Sequence, residues 1–186
     1  MKKLVVLFAA FVFLTLNQAF AYRATDFSND SKIVAAINLL EQSGETDVLR
    51  NLQKFAIKVS FDDLSSVGVS STKAFAVSTY NRYGSRVIMI NSMYQNAPVE
   101  QIACLIAHES CHTKRVADLE EETIATQKEA ATWVRLKNNA ISYPDSKLTR
   151  RLDKLSGLYL ASSEGNNLVQ QKIASSGFYR NQLGLN

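Results

Sequence analysis

Histidine is nearly absent from this chain. Two occur in 186 residues, and two is also the count for cysteine and for proline. With no third histidine, a three-histidine metal site is excluded. The two cysteines, Cys104 and Cys111, are seven residues apart on one expected helix. That spacing is about 10.5 Å along the axis, beyond the reach of a disulfide. Two free thiols are therefore expected, most simply as small buried hydrophobes, although both flank the histidine face of that helix. Basic residues form no block and the formal net charge is only +4, which argues against a nucleic-acid footprint. Past the first 21 residues no stretch is apolar enough to span a membrane, and there is no internal repeat or low-complexity tract.

The amino terminus reads as a targeting segment. Lys2 and Lys3 precede the apolar run Leu4 to Leu16, and Ala19-Phe20-Ala21 forms an A-x-A cleavage site. A basic start, a short apolar stretch and small residues at the cut describe a secretory signal peptide, residues 1–21. The expectation is cleavage before Tyr22, one domain over 22–186, no membrane span after cleavage, and an exported protein of bacterial type, periplasmic or secreted.

What is present is concentrated. Both histidines lie in His108-Glu109-Ser110-Cys111-His112, an H-E-x-x-H pattern. On a helix, positions i and i+4 share a face, so both imidazoles can address one ion while Glu109 reaches a water on it. Nitrogen ligands, an open position and a general base are what a zinc hydrolase requires. The preceding residues Val99, Ile102, Ala103, Ile106 and Ala107 gather on the opposite side of the helix, which makes it a core element. Two imidazoles and a carboxylate on a largely buried helix are costly unless they have a partner.

The remaining pattern places this helix in an α+β chain. Helices are expected over 31–42 and 45–54. Strands are expected over 57–61, 74–80 and 86–90, with a hairpin turn at Asn81-Arg82-Tyr83-Gly84 and a Ser- and Asp-rich loop over 62–72. The motif helix opens at Pro98, a second runs from Asp118 or Leu119 to about 138, and others start near Ser146 and Leu168. This order implies a small antiparallel sheet, then the H-E-x-x-H helix, then a mostly helical part.

A third metal ligand must be a carboxylate, and Asp118, Glu120, Glu121, Glu122 and Glu129 are available. Asp118 has the spacing of a metzincin ligand, but the glycine of that pattern is Arg115 here and no methionine follows Met93. Asp118 has a simpler role as a helix cap, with Glu121 three residues on. The helical phase puts Glu122 at the margin of the apolar face with Glu129 beside it, and Glu121 on a polar face with Lys128 and Arg135. The geometry selects Glu122, leaving Glu121, Glu129 and Asp118 as alternatives.

At these residues the chain resembles the gluzincin metallopeptidases, which carry H-E-x-x-H on one helix and a ligating Glu on the next. The Glu122-Thr123-Ile124-Ala125-Thr126 segment matches E-x-x-A, with Thr126 where the family commonly has an Asp that supports a histidine. That support would pass to Thr126 or Glu129. The segment 86–91 looks like the edge strand of that fold. The resemblance implies a Zn²⁺ held by His108, His112 and Glu122, Glu109 as catalytic base, and a peptide or protein substrate, cell-wall peptide included, lying against 86–91. Tyr143, Tyr159, Tyr179 or an arginine would stabilise the oxyanion. A zinc-binding interaction protein without catalysis and a cell-wall amidase are the alternatives.

Overall fold

The structure, a computed structural model, describes residues 23–184, so the expected signal segment lies outside the described residues. Helix α1 (Ser31–Gln42) starts where the Asp30 carboxylate accepts the N–H groups of Lys32 and Ile33. It buries Ile33, Ala36, Ile37 and Leu40, the i, i+3, i+4, i+7 stripe of an amphipathic helix. Gly44, at φ 79°, turns the chain into α2 (Thr46–Lys54), which buries Val48, Leu49 and Leu52.

Three strands follow, β1 (Lys58–Asp62), β2 (Ala76–Tyr80) and β3 (Arg86–Asn91), in the spatial order β1-β3-β2. β2 and β3 form the expected antiparallel hairpin, with Tyr80 opposite Arg86. Its turn is held by the Asn81 side chain, which accepts from Tyr83 and Ser85 N–H, and by Gly84 at φ 77°. β1 pairs with β3 in parallel, Phe61 opposite Ile90. The sheet is therefore mixed, which corrects the expectation of an antiparallel one. The connection from β1 to β2 is long enough to carry the chain past β3's position, and the hairpin then brings β3 back beside β1 in the same direction.

This order also corrects the role of 86–91. β3 is the central strand, with Ile88, Met89, Ile90 and Asn91 all buried, and β2 is the open edge. Across the sheet runs α3 (Val99–Ser110), buried continuously from Gln101 to Ser110. Helix α4 (Leu119–Leu136) lies along α3, and α5 (Lys147–Ala161) and α6 (Leu168–Ser175) pack against α4. A last helix, α7 (Gly177–Leu183), follows where the sequence pattern gives no helix start.

One apolar cluster joins α1, α2, the inner residues of β1 and β3, α3, and Trp133, Leu148 and Leu152. Trp133 is fully buried, with its indole N–H donated to Asp153 at 2.8 Å. None of the helices among the described residues is long and apolar enough to cross a membrane.

Candidate metal centre

The motif helix stops earlier than its sequence suggests. α3 ends at Ser110 with Cys111 as its cap, so His112 lies just beyond it, where a helix continuous through 114 is expected. Two contacts end it. Arg86 Nη2 donates to the Glu109 carbonyl at 3.3 Å. Glu121 Oε1 accepts from Thr113 N–H at 2.7 Å, the Thr113 hydroxyl at 2.9 Å and Lys114 N–H at 3.1 Å. Those amides would otherwise have continued the helix. His112 N–H turns to Glu109 O at 3.4 Å, and the two imidazole centroids remain 5.2 Å apart.

α4 brings the carboxylates. Asp118 caps it, accepting from Glu121 N–H at 2.9 Å. One turn in, Glu122 lies 3.8 Å from His108 Nε2 and 3.7 Å from His112 Nε2. Ligand atoms of His108, His112 and Glu122 all lie within 4.8 Å of one another. Donors at about 2.1 Å around a tetrahedral zinc are about 3.4 Å apart, so the three donors need to close by no more than about 1.4 Å to seat an ion. Glu122 Oε2 is buried without a hydrogen-bond partner. An orphaned carboxylate oxygen facing the His108 nitrogen, with its twin facing His112, is costly, and a divalent cation removes the cost. The residues therefore fit a metal, and two nitrogens with one oxygen suit zinc without identifying it.

Each imidazole is backed by a further carboxylate at its other nitrogen. His108 Nδ1 is 3.0 Å from Glu129 Oε2, and His112 Nδ1 is 3.5 Å from Glu121 Oε2. Such partners fix the ring orientation and leave Nε2 facing the ion. Glu129 is fully buried and is gripped by the Arg151 fork from α5, Nε to Oε1 at 3.0 Å and Nη2 to Oε2 at 2.8 Å. Thr126 plays no such part, since its hydroxyl is buried with no partner. The polar-face reading of Glu121 is corrected as well. It is buried because the 111–118 loop folds over that side of α4, and it holds the loop.

Glu109 sits beside this group without joining it, Oε2 lying 3.9 Å from His112 Nε2. Burial pushes its carboxyl up to about 7, helped by Glu122 and Glu129 and opposed by His108 and by the Ser78 backbone N–H. Burial, with His108 nearby, pushes His112 down to about 4, the state in which a ring nitrogen is free to ligate. For Glu129 burial acts upward, but Arg151 and His108 outweigh it and bring the carboxyl down to about 2.

These groups open into a cavity of about 1130 Å³ walled by β2, by loop 113–117 and by Tyr179 of α7. Of the tyrosines proposed from sequence only Tyr179 lines it, and Arg151 Nη2 approaches its hydroxyl at 3.4 Å. Tyr143 instead packs on Trp133 and accepts the Asn138 N–H. Both cysteines are free, Cys104 fully buried and Cys111 partly so.

Sequence reasoning missed Ser78, Arg86 and Arg151. Arg151 left a signal: it lies between Leu148 and Leu152, near the apolar stripe of α5, where a charge calls for a buried partner. No protein family, curated protein or solved structure matches the chain, so the case for its chemistry rests on these residues.

Proposed function

We propose that this chain is an exported, zinc-dependent metallopeptidase of gluzincin-like type. The observation that carries the reading is the position of Glu109. It is buried beside the His108, His112 and Glu122 group and opposite the middle of an open strand edge. A site that only held a metal would have no use for a buried carboxylate on its cavity side. His108, His112 and Glu122 would hold zinc, which when bound polarises a carbonyl and acidifies water. Glu109 takes the proton from the attacking water and delivers it to the leaving amine. Glu121 and Glu129 keep the imidazoles aimed.

An extended peptide fits the edge of β2, rather than 86–91. Ser78 N–H faces Glu109, away from β3, and the alternation of an antiparallel pair turns the backbone groups of Ala76 and Tyr80 the same way. A substrate strand can pair with them. The leader-like residues 1–21 support an exported setting.

The test uses zinc-loaded protein on a mixed peptide library and on cell-wall fragments. Peptides should be cut, a chelator should stop the reaction, and added zinc should restore it. Glu109→Gln should retain about one zinc per chain while the rate falls by about 10²-fold or more. Cleavage confined to cell-wall fragments would make the chain an amidase. Zinc bound with no hydrolysis of either substrate would reduce it to a zinc-binding protein.

A further inference from the structure

The charges around the cavity are segregated. Its three carboxylates, Glu109, Glu122 and Glu129, are all buried at the floor, where Arg151 and a divalent ion would balance them. Its other cations, Lys73, Lys114 and Arg115, are exposed at the rim. Lys114 is paired with Asp118, whereas among the described residues no carboxylate lies within ion-pair distance of Lys73 or Arg115. Arg115 is nonetheless held in place. Its guanidinium lies over the Tyr80 ring, 5.7 Å from the centroid, at the end of β2. A stacked guanidinium keeps its in-plane donors free for a carboxylate while losing little freedom on binding.

From this we infer that the cavity selects peptides with acidic residues, and that Arg115 is the specificity-determining residue. The inference rests on the metallopeptidase reading of the same cavity. Glu109 faces Ser78, so the reacting bond lies opposite the middle of β2. Tyr80, and Arg115 above it, lie two residues further along the strand, about 6.6 Å away. For a peptide antiparallel to β2, that end meets the residues on the N-terminal side of the cut. An Asp or Glu there reaches Arg115, and Lys73 beyond the start of β2 adds positive potential on the C-terminal side.

Binding tests this without needing turnover. Two fluorescent peptides differ only in carrying Glu or Lys on the N-terminal side of a common core, and anisotropy is read on the zinc-loaded Glu109→Gln variant. The Glu peptide should bind about tenfold more tightly at low salt, with the gap narrowing as salt rises. Arg115→Glu should abolish or invert the preference with zinc content unchanged, and Arg115→Lys should keep most of it. Equal binding of the two peptides, an unaltered preference in Arg115→Glu, or no binding of either would overturn the inference. Hydrolysis without acidic preference would sink it and leave the peptidase reading standing. Acidic preference without hydrolysis by the wild-type protein would do the reverse.

Discussion

Glu121 and Glu129 face different imidazoles from one helix, yet their surroundings give them unequal weight. Glu129 is fully buried and paired with Arg151, so Glu129→Ala leaves a half-buried guanidinium without its carboxylate. That should cost roughly 1–3 kcal/mol of stability and lower zinc affinity by about 10- to 100-fold. Glu121→Ala frees three donors of an exposed loop that water can satisfy. It should weaken zinc by a similar factor at a smaller loss of stability, on the order of 1 kcal/mol. Competition with a chromogenic chelator and thermal unfolding measure both, and a Glu129→Ala protein with wild-type zinc affinity would remove the carboxylate from the metal site. The grouping of His108, His112 and Glu122, with Glu109 beside it, was legible because it follows from spacing along two consecutive helices. The Glu121 role was not, because it depends on where α3 stops. That point is set by Arg86, a residue of the sheet.

Elements were legible in proportion to how local their causes are. Helices α1, α4, α5 and α6 carry their side-chain caps at their own first turns, and all six helices α1 to α6 start close to where they are expected. Strand pairing is not local. β3 reads Val87-Ile88-Met89-Ile90, a nearly continuous apolar run of the kind that fills a central strand, whereas a zincin-like reading placed it at the edge. Its partners were decided by the path between β1 and β2, which no periodicity records. The contact between α4 and α5 yields a pH prediction. Asp153 accepts from Trp133 Nε1 at 2.8 Å and from Lys137 Nζ at 2.6 Å. Burial acts upward on its carboxyl, but these two donors outweigh it and hold it below the usual value. A depressed carboxyl contributes stability above its unfolded pKa of about 3.9 and loses it as pH falls through the folded value. Asp153→Asn should therefore be less stable than wild type at pH 7, by no more than about 1 kcal/mol given its partial exposure, and the gap should be smaller at pH 3. Denaturant titrations at both pH values test the sign, and a gap that widens on acidification would contradict it.

For the whole molecule, the proposed zinc site would link metal and fold. Zinc at about 100 times its dissociation constant adds about 2.7 kcal/mol to the folded state. For a chain of this size that is a rise of roughly 5–10 °C in Tm, lost on chelation and absent in Glu122→Ala. Differential scanning calorimetry with and without chelator reads it directly, and an unmoved transition would show that the cluster holds no ion.

His108, His112 and Glu122 occupy fifteen consecutive residues, whereas the groups that place Glu109, Ser78 and Arg86, come from the hairpin that precedes them. In polymer terms the ion closes a short loop, a contact of low order that forms early and at little entropic cost. Capture of a metal there would therefore not wait for the sheet. On the proposed reading, a chain whose hairpin has been damaged or has yet to dock would still hold the ion, and would lack only the aim of Glu109.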